Sequence, residues 1–201
     1  MSAAPIVKSR RALSSEAHAL AAVLAESFAS DPVVSHLLRN TKQSDAWTQY
    51  FQVGVEVAFE QGEVWTTDAL TGACLFFAPN QWRISTWKEL KSAWRIARAT
   101  SLATTWNIRT VFHLLEEALP KQPHYYLLAI GVRASHRNRG LGTALMRPLL
   151  DRCQKEQQPA YLENTDPKNH RFYERHGFEV TRSLPLPNAT PSIDLMWRPD
   201  R

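Results

Sequence analysis

The chain has 201 residues, 44% of them hydrophobic and 21% charged, with a net charge of +5. That length suits one globular domain with a substantial core, and the small positive excess fits a phosphorylated small ligand better than nucleic acid, which needs a concentrated basic patch. The two cysteines, Cys74 and Cys153, form no CxxC pair, which argues against a disulfide scaffold or a structural zinc site and for a reducing compartment.

Residues 1–13 open the chain, with a short strand expected around Ile6 to Arg10. Lys8, Arg10 and Arg11 are followed by no apolar run, so neither a signal peptide nor a membrane span is expected, and the cytoplasm is the default location. Ser14 or Ser15 can cap a helix to about Ala29, with Leu20, Val23, Leu24, Ala25 and Phe28 on one face. Asp31-Pro32 either ends it or starts the next turn, since proline is favoured after an Asp cap. A second helix is predicted over about Asp45 to Glu60, offering Trp47, Tyr50, Phe51, Val55 and Phe59 to the core. Val64 to Thr67 and Ala73 to Ala78, joined by a turn at Asp68 to Gly72, read as an antiparallel hairpin that Pro79 closes.

The segment 80–120 is basic and helical. Leu90, Ala93, Trp94 and Ala97 make one stripe, and a further helix is expected over Asn107 to Leu119. Lys88, Lys91, Arg95, Arg98 and Arg109, in the 88–109 stretch, are most simply a solvated face. The alternative sets one or two of them against a ligand phosphate or RNA.

From Pro123 the pattern alternates. Tyr125 to Val132 is a strand, interrupted by Gly131, where a bulge or a close backbone approach is expected. Leu141, Ala144, Leu145, Leu149, Leu150 and Cys153 then recur at helical spacing. Arg137-Asn138-Arg139-Gly140-Leu141-Gly142 therefore lies where a strand turns into a helix, and the free N–H groups of a helix start favour an anion. The spacing is not a P-loop, and Leu145 stands where a dinucleotide fingerprint needs a small residue. Arg-x-x-Gly-x-Gly remains. Pro148 should kink or break the helix after its first two turns.

A strand over Pro159 to Asn164 precedes a helix bounded by Asp166 as cap, Pro167 at its first position and Gly177 just beyond its end. Asn169 and Tyr173 share one face of it, and Phe172 and His176 form a neighbouring pair. Strands over Phe178 to Ser183 and near Ile193 to Trp197 finish the chain. The last is expected to be an exposed end strand able to pair between subunits. Alternating β and α elements with flanking hairpins indicate a mixed α/β sandwich around one sheet. The histidines show no HExxH or close pairing, so no metal is assigned.

Arg137-x-x-Gly140-x-Gly142, together with Asn169, Phe172, Tyr173, Gly177 and Phe178 in an N-x-x-[FY]-Y-x-x-x-G-F pattern, resembles the GNAT N-acetyltransferase superfamily. The resemblance is strongest from about residue 120. It implies an α/β fold with a mixed, mostly antiparallel sheet, a splayed central strand pair and flanking helices, as one domain over 1–201. The helical segment of about 80–120 would help shape the acceptor side. It also implies acetyl-CoA as co-substrate, with Arg137, Asn138, Arg139, Gly140, Leu141, Gly142 and Thr143 around the pyrophosphate. The main chain at Ile130, Gly131 and Val132 would lie along the pantetheine arm or polarise the thioester, and Asn169 would bond the arm.

In that family an amine attacks the thioester directly, so Tyr173 would protonate the departing thiolate and Glu163 is the candidate base. The alternative for Glu163 is a solvated strand-end carboxylate. Asp31 and His124 are weaker base candidates. Phe28 to Pro32, Val64-Trp65, Tyr126 to Val132, Leu162-Glu163, Pro167 to Asn169, Phe172 to Arg175 and Gly177-Phe178 resemble the puromycin N-acetyltransferase-like branch. The resemblance implies a small-molecule amine acceptor, no nucleic-acid or membrane partner, and a monomer or homodimer. A non-catalytic acyl-CoA sensor is the alternative.

Overall fold

β-branched and aromatic runs separated by Gly, Asp and Pro turns give seven strands among the described residues, and all seven join one sheet. The computed structural model describes residues 8–38, 45–82, 94–98, 100–186 and 191–200. The expected strand residues Ile6 and Val7 lie outside these, as do Lys88, Leu90, Lys91 and Ala93 of the 80–120 segment. The strands are β1 (Ser9–Arg11), β2 (Glu63–Thr67), β3 (Gly72–Phe77), β4 (Tyr125–Val132), β5 (Ala160–Asn164), β6 (Glu179–Pro185) and β7 (Ser192–Arg198). Across the sheet they run β1-β2-β3-β4-β5-β7-β6, antiparallel at every step except β4 to β5. The last strand is therefore not the edge. β7 lies between β5 and β6, and β6 takes the exposed place, because the final hairpin folds back into the sheet.

Helices cover both faces, and the alternation of side chains along each strand feeds two cores. On one face lie α1 (Ala17–Ser27), α2 (Pro32–Leu38), α3 (Asp45–Gln61) and α4 (Leu102–Ala118). Their Leu24, Val34, Val55 and Ile108 share a core with Leu75, Phe77, Tyr161 and Leu195 of the sheet. On the other face, Leu145, Met146 and Leu149 of α5 (Leu141–Glu156) and Tyr173 of α6 (His170–Glu174) pack with Phe76, Leu127, Leu162 and Met196. Adjacent residues such as Phe76 and Phe77, or Tyr161 and Leu162, thus serve opposite cores. No helix among the described residues is long and apolar enough to cross a membrane.

The helix starts show which local rules held. A serine cap before α1 is not formed. Ser14–Glu16 make a 3-10 turn, and the longer Glu16 side chain reaches back to accept the Leu13 N–H at 2.8 Å while pairing with Arg10 at 2.7 Å. Asp31 does cap α2, its Oδ1 accepting the N–H groups of Val33 (3.0 Å) and Val34 (2.9 Å), with Pro32 as the first helical residue.

Pro148 does not break α5, which runs from Leu141 to Glu156. Proline lacks the N–H that would bond the Ala144 carbonyl four residues earlier. That carbonyl instead accepts the Ser9 hydroxyl at 2.8 Å, so β1 satisfies the group Pro148 leaves open. Ser9→Ala should cost ~1 kcal/mol, and less in a Pro148→Ala background where an intrahelical donor returns. Urea denaturation of the two single variants and the double checks this; equal costs in both backgrounds would refute it.

Candidate active site

The sheet opens at its centre. β4 and β5 pair only over Tyr125–Leu127 against Ala160–Leu162, and the remainder of β4 runs on without them. The register of β3 on β4 shifts between Leu75↔Ala129 and Phe76↔Leu127, leaving Leu128 as an extra residue. A bulge bends the strand that carries it, and this one sits where pairing with β5 stops. The result is the splayed pair the motifs implied. In the wedge Leu128, Ala129, Ile130, Val132 and Glu163 stay half-buried although their strands are interior to the sheet.

The bulge falls at Leu128 and not at Gly131, but it reverses which residues face which core. Before it, Tyr125 and Leu127 face α5; after it, Ile130 and Val132 do. Gly131 is thereby turned toward α1, where a Cβ would lie 2.0 Å from Ser27 Oγ and 3.2 Å from Leu24 Cδ2. Its missing side chain admits α1, a close packing contact, and does not expose the main chain. The main chain is exposed by a different route. The Arg133 N–H donates to the Thr71 carbonyl at 2.9 Å, and antiparallel ladders alternate. Gly131 and Ala129 therefore bond toward β3, while the N–H and C=O groups of Ile130 and Val132 point into the wedge.

At the mouth of the wedge the loop reaches α5 through two left-handed residues, Asn138 (φ 61°) and Gly140 (φ 79°). Nothing crowds Gly140, so its conformation alone calls for glycine, whereas a Cβ at Gly142 would meet the Phe172 ring at 3.1 Å. The first helical bond runs from the Ala144 N–H to the Gly140 carbonyl. The N–H groups of Leu141, Gly142 and Thr143 are thus the orphan donors of a helix start. Asn138, Gly140 and Thr143 line a cleft of about 520 Å³ together with Arg175 and His176. Arg139 is exposed beside it. Arg137 is engaged otherwise: its Nη2 donates to the Ser27 carbonyl at 2.7 Å and its Nε to the Val132 carbonyl at 3.3 Å. It ties the end of α1 to the end of β4.

Asp166 Oδ1 accepts the Lys168 N–H at 3.0 Å and Gly177 takes φ 85°, so the short helix is bounded as its sequence required. Asn169, at its start, is exposed. Tyr173 is 8% exposed and sits against α5, on the same side of the sheet as the glycine loop. Burial pushes its phenol above the usual tyrosine range. The rings of Phe172 and His176 lie 4.6 Å apart at a tilt of 54°, with His176 Nδ1 2.7 Å from the Phe172 carbonyl. His170 Nε2 lies 2.7 Å from Asp194 Oδ2, and Asp194 also accepts from Ser183, fastening the helix to β7 and β6.

Glu163 is on the opposite face of β5, the α1–α4 side, one alternation from Leu162. Its Oε2 accepts the Tyr126 hydroxyl at 2.8 Å. Burial raises the carboxyl to about 7, against the pull of its tyrosine neighbours. The Tyr161 hydroxyl acts on the same carboxylate but is buried without a partner in hydrogen-bonding geometry. Tyr126 also rings with Phe77, Trp82 and Tyr161, giving the carboxylate an aromatic surround. Asp31, buried, accepts the Thr165 hydroxyl as well as the α2 amides, and burial raises its carboxyl too. It bridges α2 and the residue after β5 across the wedge. His124 is buried at the foot of β4.

Arg175, His176, Tyr126 and Tyr161 were not singled out for the site from the sequence. The β-alternation gave a signal for the two tyrosines, since Tyr161 is two residues from Glu163 and Tyr126 lies opposite it in register. Arg175 and His176 follow Tyr173 by less than one helical turn. Among the described residues no His, Cys, Asp or Glu group is arranged to hold a metal.

The model of the acetyltransferase (GNAT) family matches residues 95–178. An uncharacterized N-acetyltransferase of Schizosaccharomyces pombe is 24% identical over 189 residues, 87% of this chain and 75% of that protein. Among solved structures, a histone acetyltransferase HPA2-related acetyltransferase of Corynebacterium glutamicum superposes with TM-score 0.67 at 23% identity, over 97% of each chain. The Drosophila melanogaster polyamine N-acetyltransferase, which forms N-acetylagmatine, superposes with TM-score 0.62 at 18% identity, over 96% of this chain and 99% of that one. At these identities the structures establish a shared fold. The family model covers less than half of the chain, and what the solved structures share with it is the fold.

Proposed function

We propose that this protein transfers an acetyl group from acetyl-CoA to the primary amine of a small molecule by direct attack on the thioester. The observation that carries the reading is the wedge. It has inward-pointing backbone groups at Ile130 and Val132, a helix start at its mouth, and a carboxylate and a phenol on its two faces. A diphosphate fits the free N–H groups of Leu141, Gly142 and Thr143, and an amide-bearing arm fits the edge of β4 that β5 leaves open, as an added strand would. Asn169, Asn138 and Arg139 flank that path.

Glu163, with a carboxyl near 7, takes a proton from the incoming ammonium and leaves the amine nucleophilic. An N–H in the Ile130–Val132 stretch stabilises the charge that builds on the thioester oxygen. Tyr173, on the face of α5, gives its proton to the departing sulfur. The buried phenol stays protonated until then, and the same dry surroundings disfavour a thiolate.

The whole chain, 1–201, acts in this reading as one cytoplasmic N-acetyltransferase domain, monomer or homodimer, with the 80–120 segment on the acceptor side. Neither nucleic acid nor membrane is its partner. The likeness to the puromycin branch makes puromycin one acceptor worth testing. Acetyl-CoA turnover against puromycin, agmatine, spermidine, phenethylamine and glycinamide is the deciding experiment; tight acetyl-CoA binding with no CoA release on any primary amine would defeat the proposal. On the fastest amine, Tyr173→Phe should lower kcat about 10²-fold while calorimetry gives an unchanged Kd for acetyl-CoA. A variant with wild-type kcat would remove Tyr173 from the mechanism.

A further inference from the structure

If Glu163 accepts a proton in every cycle, that proton must leave before the next amine arrives, and the carboxylate, half-buried, is flanked by tyrosine rings. The side chains around it offer one direction. On the Glu163 face of the sheet, Tyr161 lies two residues back along β5 and packs against His124 at the foot of β4, ring centroids 5.4 Å apart. The two share an oddity. Tyr161 Oη and His124 Nε2 are both buried polar atoms with no hydrogen-bond partner. Leaving such groups unpaired costs stability, so each calls for a role.

The His124 ring is also fixed in tautomer. Nδ1 lies 2.7 Å from the Gln122 carbonyl, which can only accept, so Nδ1 carries the hydrogen and Nε2 presents a lone pair. Burial lowers the histidine below its ordinary value, so the ring rests neutral. Beyond it the chain surfaces at once, with Lys121, Gln122 and Pro123 exposed.

We propose that Tyr161 and His124 form the exit route for the proton that Glu163 takes from the amine. This rests on Glu163 acting as the base. The Glu163 O–H breaks as Tyr161 Oη accepts the proton. Tyr161 gives its own hydrogen to His124 Nε2, directly or across one water, which restores the carboxylate and makes an imidazolium. The Nδ1 proton then passes to bulk water beside residues 121–123, and a flip of the neutral ring returns its remaining hydrogen to the Gln122 carbonyl and the lone pair to the Tyr161 side. Nothing is oxidised or reduced, and one proton is carried from carboxyl to solvent. Tyr161 and His124 touch neither amine nor thioester in this scheme; they act through Glu163.

Kinetics on acetyl-CoA and the fastest amine of the panel test it, with thermal unfolding alongside. Tyr161→Phe keeps the ring and removes only the hydroxyl, which makes no hydrogen bond of good geometry. It should melt no lower than wild type and keep its KM for acetyl-CoA, yet lose at least about tenfold in kcat, below the loss for a direct acid or base. His124→Ala should lose a similar factor, and added imidazole should restore it. Wild-type kcat in Tyr161→Phe, beside a slow Glu163→Gln, overturns the route while the base stands. A His124→Ala loss that imidazole does not relieve means packing alone and also overturns it. If Glu163→Gln matches wild type, base and route fall together. Should His124→Ala fail to fold, Tyr161→Phe decides by itself.

Discussion

Glu163→Gln is expected to lower kcat/KM for the amine by 10² to 10⁴, the range for losing a positioned general base. Wild-type kcat/KM should climb with pH through about 7, where the carboxyl ionises, and level off above it. In the variant that limb should vanish. A pH profile of both proteins is the check, and an unchanged limb in Glu163→Gln would assign it to another group. The same substitution has an effect on stability of opposite sense. Folding raises the carboxyl from 4.5 to about 7, so between those values the folded chain holds a proton the unfolded chain has lost. Stability therefore falls as pH rises through that window, and the whole cost is present above 7. It is bounded by ~3 kcal/mol and reduced to about 2 by the partial solvent access of the group. Glu163→Gln should unfold at higher temperature than wild type at pH 8 and at the same temperature near pH 4.5. Activity and stability moving in opposite directions separates a functional carboxylate from a structural one, whose loss would lower both.

The parts of this site legible in the sequence are those set by residues close together in the chain. Gly140 sits where the backbone must be left-handed, Asp166, Pro167 and Gly177 punctuate a helix, and the alternation in β5 sends Leu162 and Glu163 to opposite faces. Each is a local rule. What could not be read are contacts between elements far apart in the chain. Arg137 looks like a phosphate ligand by its neighbours, yet its guanidinium holds the Ser27 carbonyl. Pro148 should have broken a helix, but Ser9, 139 positions earlier in the chain, fills the vacant bond. Asp31 was legible as a cap and not as the partner of Thr165 across the wedge. The place of β7 inside the sheet follows from how the last hairpin docks, which no periodicity encodes. The bulge at Leu128 belongs to the same class: it is a mismatch in count between β3 and β4, visible only once they are paired. From it follow the direction of Gly131 and the edge that Ile130 and Val132 present.

Gly131→Ala should destabilise the protein by ~1–3 kcal/mol, the usual penalty for overfilling a packed contact. The added Cβ would come 2.0 Å from Ser27 Oγ, 2.9 Å from Ser27 Cβ and 3.2 Å from Leu24 Cδ2. Rotating the serine hydroxyl away would break its bond to the Leu24 carbonyl at 3.0 Å, and the Cβ of Ser27 would still be in the way. Leu24 is fully buried and cannot retreat. So α1 and β4 must separate, and Arg137, which joins the Ser27 and Val132 carbonyls, must stretch or let go. That movement displaces the edge of β4 proposed to meet the pantetheine arm, so acetyl-CoA affinity should weaken together with stability. Ser27→Gly, at the last position of α1, removes the colliding atoms. The double variant should recover most of both losses, a coupling of ~1–2 kcal/mol between residues 104 positions apart in the chain. Denaturation and acetyl-CoA calorimetry on the two singles and the double measure it. Gly131→Ala as stable as wild type, or losses that simply add in the double, would mean that α1 and β4 are not held together by the missing side chain.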